Sequence, residues 1–236
     1  MTLHLFLLLL SFLTSCATRQ DPSTISHSQP VIEHAGYSLA YDGKTRNASW
    51  VHETITADSL EGSADRARCD FMEDPLVPSP FRATKADYQG SGFDRGHMRP
   101  AANAKASPAS MQETFYLSNI CPQVPKLNRG YWSQLEKYVR ALASQYKVLH
   151  VYTGPLYLPQ KEADGKRYVK YQVIGPNDVA VPTHFFKVIV AEKASGAKDI
   201  EAYIVPNSAV SPDTLHTAFR TTLEKVERAA GVLFSK

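Results

Sequence analysis

The chain has 236 residues, enough for one sizeable core and short for two comfortable domains. Hydrophobic residues make up 43% and charged residues 21%, an ordinary globular composition that excludes a disordered or fibrous chain. The formal net charge of +3 permits an anionic partner without demanding one.

Residues 3–13 are apolar apart from His4 and Ser11, too short a run for a stop-transfer helix, and they read as a secretion signal. The run ends Leu13-Thr14-Ser15-Cys16, which resembles the lipobox of bacterial lipoproteins, with Cys16 as the lipidated first residue of the mature chain. An acyl anchor of this kind holds a protein on a membrane, not through it. The expected location is therefore extracytoplasmic, as a membrane-anchored lipoprotein or a secreted protein, with mitochondrial import as the alternative. Residues 1–4 contain no Lys or Arg, and no arginine precedes Arg19. That departs from signal peptides and argues against a mitochondrial leader. Residues 17–30 are rich in Ser, Thr, Gln and Pro and read as a flexible tether. The folded domain is expected over residues 31–236. Cys69 and Cys121 are the remaining cysteines, and the sequence does not say whether they pair.

Residues 37–41 and 48–55 are strand-like around a polar turn at Asp42-Gly43-Lys44, a hairpin signal. Residues 58–92 read as an irregular arm. Ser107-Pro108 opens a short helix, and residues 114–121 read as extended. Residues 128–146 form the best helical pattern, with Tyr131, Leu135, Tyr138, Val139 and Leu142 recurring at helical spacing. Strands are expected at 148–152, 168–174, 184–190 and 200–205, with a turn at Ala163-Asp164-Gly165-Lys166. A last helix is expected over 211–230. This order implies an α+β domain with a mainly antiparallel sheet flanked by helices.

The chemistry concentrates in Asp94-Arg95-Gly96-His97 and in Leu127-Asn128-Arg129-Gly130-Tyr131-Trp132. Neutral imidazole can take a proton from water near neutral pH, so His97 is a candidate general base. Arg95 offers a planar fork to phosphate, and Gly96 is expected to let the backbone turn tightly beside the histidine. Asn128 stands at the expected helix start, where asparagine is a common N-cap. Its amide oxygen is also a hard neutral ligand suited to Mg²⁺, which keeps most of its waters. Steps of four from Asn128 reach Glu136 and Arg140. The first can accept hydrogen bonds from water on a metal and the second can hold phosphate charge, although an ordinary surface ion pair has the same spacing. Basic residues flank both strings: Arg82, Lys85, Arg95, Arg99 and Lys105, then Lys126, Arg129, Lys137 and Arg140. Such a surplus suits a phosphate-binding groove.

With these strings stand Phe81-Arg82-Ala83-Thr84, Gly90-Ser91-Gly92-Phe93, Thr114-Phe115-Tyr116-Leu117-Ser118-Asn119, Thr153-Gly154-Pro155-Leu156 and Val181-Pro182-Thr183-His184-Phe185-Phe186-Lys187. Over these stretches, from about residue 37 to 234, the chain resembles the DNA/RNA non-specific endonucleases of the ββα-metal (His-Me finger) class, nearest to their endonuclease G branch. The resemblance implies a metal-dependent hydrolase that cuts DNA and RNA and leaves 5′-phosphate ends. It implies His97 as general base, Asn128 as the residue binding one Mg²⁺ (Mn²⁺ substituting), and Asn119 as a second active-site asparagine. It also implies active-site roles for Arg95, Glu136 and Arg140, and a homodimer. Arg99 and Arg129 depart from the branch as extra basic residues, which implies altered substrate contacts. Alternative readings are an inactive nucleic-acid-binding lipoprotein and a phosphodiesterase of small nucleotides.

Overall fold

The computed structural model describes residues 31–234, so the expected signal, the Cys16 anchor and the tether lie outside the described residues. The fold opens with an antiparallel meander, β1 (Val31–His34), β2 (Tyr37–Asp42) and β3 (Asn47–Ile55). An arm of short turns and a one-turn helix, α1 (Lys85–Tyr88), leads to β4 (Asp94–His97). Then come α2 (Pro108–Glu113), β5 (Ile120–Gln123), a wide helical turn over Leu127–Trp132, and α3 (Ser133–Leu142). Ser107 caps α2 by accepting from the Ser110 N–H at 3.1 Å, with Pro108 at the first helical position.

Three long strands carry the rest of the core: β6 (Val148–Leu156) and, after two small hairpins, β11 (His184–Glu192) and β12 (Lys198–Pro206). The hairpins are β7 (Gln160–Lys161) with β8 (Arg167–Tyr168), and β9 (Val173–Ile174) with β10 (Val179–Ala180). β13 (Arg220–Thr221) and α4 (Leu223–Ala230) close the chain. The main sheet runs β1-β2-β3-β6-β11-β12-β13 and every pairing in it is antiparallel.

β11 is buried on both faces, and its period-two alternation sorts two cores. Phe185 and Ile189 pack with Trp132, Leu135 and Val139 under the long helix. Phe186, Val188 and Val190 pack with Leu223, Val226 and Phe234 under α4. Each such fully buried side chain stabilises the fold by about 1.5–3 kcal/mol before entropy is charged against it. Among the described residues no helix is long and apolar enough to cross a membrane. Cys69 and Cys121 are free thiols.

Four expectations need correction. The helix starts at Pro125, not at Asn128, and ends at Leu142; proline fits the first helical position because its missing N–H has no partner to lose. Residues 114–121 are not extended throughout: a 3-10 turn at Leu117–Asn119 precedes β5. The strand expected at 168–174 is paired only at its ends, and Val169, Tyr171 and Val173 stay more than a third exposed. The final helix covers only Leu223–Ala230. Thr222 caps it and Gly231, in the left-handed region, ends it. Upstream, tertiary contacts outweigh helical preference: the Tyr131 hydroxyl donates to the His216 carbonyl at 2.8 Å and the His216 ring stacks on Tyr138 at 4.1 Å.

Candidate active site

The two chemical strings meet in a ββα unit. β4 pairs with β5 in antiparallel register, His97 opposite Ile120 and Asp94 opposite Gln123, and the helix from Pro125 lies directly after β5. Gly96 sits inside β4, not in a turn. Glycine is required there because a Cβ would come 2.7 Å from the Gln123 Cβ across the ribbon.

The wide turn at Leu127–Trp132 explains how Asn128 reaches the site. In an uninterrupted α-helix, eight residues at about 100° each would place Asn128 about 80° around the helix from Glu136. The helix is instead broken by a kink at Gly130, with φ −104° and ψ −108° outside the helical region, and this kink sets the phase of Asn128 relative to Glu136.

The result is a cleft of about 420 Å³ lined by Arg66, Asp94, Arg95, His97, Asn128, Arg129, Glu136 and Arg140. His97 forms its inner wall against the rings of Phe71 and Phe115, at centroid distances of 5.6 and 4.9 Å. One ring nitrogen bonds the Arg95 backbone, while Nε2 is buried without a protein partner. A neutral imidazole that donates one N–H to a carbonyl keeps a lone pair on its other nitrogen. Burial, followed by the charge of Arg66, pushes the His97 pKa down to about 3 against the opposing pull of that carbonyl. The imidazole is neutral at any physiological pH.

Asn128 is held from one side only. Its Nδ2 donates to Asp94 Oδ2 at 2.9 Å, which leaves Oδ1 for the cleft. Arg129 closes a two-pronged ion pair on the same carboxylate, at 2.8 Å from Nε and 2.6 Å from Nη2. Burial alone would raise the Asp94 carboxyl, but the hydrogen bonds from Arg129 and Asn128 outweigh it and hold the pKa below the usual range. Glu136 has the opposite balance. Burial raises it to about 7 although Lys187 and Arg140 pull it down.

Of the expected site residues, the structure gathers Arg95, His97, Asn128, Glu136 and Arg140 in this cleft. Asn119 is fully buried outside it. Its Oδ1 accepts from the Arg99 N–H at 2.9 Å, and its Nδ2 donates to the Arg99 and Thr114 carbonyls at 3.0 and 2.8 Å. It thus braces the chain just past His97 and has no atom left for substrate. Asn128 does not cap the helix. Arg99 is no substrate contact either, being buried against Glu53 at 3.4 Å. Arg82 and Lys85 are turned to Val77 and Asp70.

Two participants escape sequence reasoning. Arg66 reaches the cleft from the arm, on a 3-10 turn started by the Asp65 side chain, and nothing in its spacing signals it. Asp94 belongs to the four-letter string, yet its work of orienting Asn128 shows only when the strand and helix meet.

Among the described residues no group of three His, Cys, Asp or Glu could hold a metal. The donor chemistry instead fits an ion held by one amide oxygen and water, since Asn128 Oδ1 and Glu136 face the same space.

The family model for DNA/RNA non-specific endonuclease matches residues 16–236. Human mitochondrial endonuclease G is 53% identical over 198 residues, 84% of this chain and 67% of that protein. Nuclease C1 of Cunninghamella echinulata var. echinulata is 46% identical over 217 residues, 91% of this chain and 84% of that protein. A crystal structure of an EndoG/EndoGI complex superposes with TM-score 0.85 at 49% identity, covering 86% of this chain and 84% of that one. The fold is the ββα-metal nuclease fold, and the chain belongs to the DNA/RNA non-specific endonuclease family, a family of metal-dependent nucleases.

Proposed function

We propose that this nuclease hydrolyses DNA and RNA phosphodiesters with His97 as general base and Asn128 as the protein ligand of a single Mg²⁺, leaving 5′-phosphate ends. The observation that carries the reading is the unprotonated imidazole of His97 in the wall of the same cleft as the free Oδ1 of Asn128. The His97 imidazole takes the proton of a water as its oxygen attacks phosphorus. Burial keeps the ring unprotonated, and the anionic phosphate beside it raises its proton affinity when the substrate is bound. Arg66, Arg95 and Arg140 face the phosphate and stabilise the charge that builds on its oxygens. Arg95 is held for this by lying 4.4 Å over the Phe71 ring. When bound, Mg²⁺ supplies Lewis-acid stabilisation of the phosphate and of the departing oxygen. Asn119 supports the base by pinning the backbone that follows it. These contacts address phosphate, so little base selectivity is expected.

Nicking of supercoiled plasmid and degradation of RNA, with Mg²⁺ and with chelator, test the reading, and a small-nucleotide diester run alongside tests its polymer preference. Intact plasmid and RNA in both Mg²⁺ and Mn²⁺ would overturn it.

The same proposal extends to the rest of the chain. Residues 1–16 act as an export signal with Cys16 lipidated, residues 17–30 as a tether, residues 31–236 as the nuclease domain, and the enzyme works as a homodimer outside the cytoplasm. The leader sequence supports export, whereas the relatives named as mitochondrial support organelle import instead. The mass of the mature N-terminus separates the two, and light scattering reads the dimer.

A further inference from the structure

Beneath the cleft lies a polar cluster where the binary pattern calls for apolar residues. Glu53 on β3 and Lys187 on β11 are buried on the sheet face that packs under the long helix, and Asn103 is buried on the 3-10 turn Ala101–Asn103. Burying such groups is costly unless they are hydrogen-bonded, so the bonds they make are informative. Asn103 stands at the centre. Its Nδ2 donates to both oxygens of Glu53, at 3.0 Å each. A carboxylate accepts only, so the amide is turned with Oδ1 outward. That oxygen accepts from Arg140 Nη1 at 3.1 Å, the one hydrogen bond that the described residues give the Arg140 side chain.

We propose that Asn103, clamped by the buried carboxylate of Glu53, is a positioning residue that sets the Arg140 guanidinium toward the scissile phosphate. The proposal rests on the reading of Arg140 as a phosphate contact. An arginine side chain has several rotatable bonds, and one hydrogen bond from a clamped acceptor removes much of that freedom before substrate arrives. Glu53 also faces Arg99 Nε at 3.4 Å, and Arg99 lies two residues past His97 with its backbone held by Asn119. One buried carboxylate thus ties the arginine on the helix to the strand that carries the base. Removing the Asn103 amide leaves Arg140 in the cleft but unaimed.

The test is a double-mutant cycle on plasmid cleavage in Mg²⁺, with Asn103→Leu, Arg140→Ala and the double variant. Asn103→Leu is expected to lower kcat by about 10- to 100-fold with KM changed less than about threefold. In the Arg140→Ala background the same change should have little further effect, because its target is gone. Equal losses in both backgrounds would mean that Asn103 acts on general stability, and would overturn the proposal. Should Asn103→Leu fold poorly by circular dichroism, the exchange pair Glu53→Gln with Asn103→Asp serves instead. It moves the donor from 103 to 53, keeps an acceptor toward Arg140 and leaves the total charge the same. It should recover at least about a tenth of wild-type kcat, while Asn103→Asp alone stays lower, since it sets two carboxylates together. Failure of the pair to exceed the single variant would also overturn the proposal. Full activity of Arg140→Ala would instead refute the reading of Arg140 on which the proposal stands.

Discussion

Asp94 and Asn128 lie on different elements, yet the carboxylate of the first receives the amide hydrogen of the second at 2.9 Å. That bond decides which end of the Asn128 amide faces the cleft. Without an acceptor at this point the side chain could present nitrogen, which cannot ligate a cation. We predict that Asp94→Ala raises the Mg²⁺ concentration for half-maximal cleavage by about 10- to 100-fold, the usual scale for losing a group that orients a ligand. A Mg²⁺ titration of plasmid nicking reads this, and an unchanged midpoint would contradict it.

Gly96 is needed for the closeness of β4 to β5, not for a turn. Gly96→Ala is predicted to destabilise the protein by about 1–3 kcal/mol, because the Gln123 side chain packs where the new methyl must go. Urea unfolding checks this. The companion Gly165→Ala should cost less, since no neighbour lies within 4 Å of the added carbon and only the backbone at φ +79° resists.

His97 and Glu136, which share the cleft, act oppositely on stability. His97 is pushed down to about 3 from 6.5, so the folded state binds fewer protons than the unfolded one between those values. Its contribution is present above pH 6.5 and is lost as pH falls toward 3. Glu136 is raised to about 7 from 4.5, so its contribution is present below 4.5 and is lost as pH rises through 7. Relative to wild type, His97→Gln should therefore gain stability on acidification from pH 6.5, with a slope approaching about 1.4 kcal/mol per pH unit. Glu136→Gln should gain on the way from pH 4.5 to 7. Urea midpoints across pH 4–8 measure both, and parallel curves for all three proteins would contradict the assignment.

Substrate binding should be strongly salt-dependent. Arg129 is paired with Asp94, which leaves Arg66, Arg95 and Arg140 facing the cleft. About three phosphate contacts predict a slope of log affinity on log salt of about −2 to −3 for duplex DNA. Arg66→Ala should flatten it by about 0.9. Fluorescence anisotropy in chelator would show this, and a flat response would favour a small-molecule substrate.

The histidine string and the helical spacing of Glu136 and Arg140 made much of this site legible, because bases, ligands and phosphate forks are chosen by chemistry. The phase of Asn128 was not legible. It depends on a kink at Gly130, and no helical periodicity announces that. Arg66 stayed hidden because its arm has no periodicity, and Asn103 because a buried polar residue reads like any surface asparagine until its partners arrive. Arg99 was misread for the complementary reason: a basic residue beside a motif looks like a substrate contact, but burial against Glu53 gives it a structural role. The strand and helix errors at residues 168–174 and 211–222 share one cause, the absence or presence of tertiary cover that sequence alone does not show.

The central claim is that the His97 imidazole takes the proton from the attacking water. Cleavage of plasmid by His97→Ala, with and without added imidazole, tests it most directly. The expected result is a loss of at least about 100-fold in rate with DNA binding retained, and partial recovery as imidazole enters the space left by the ring. A variant that cleaves at the wild-type rate without imidazole would contradict the account.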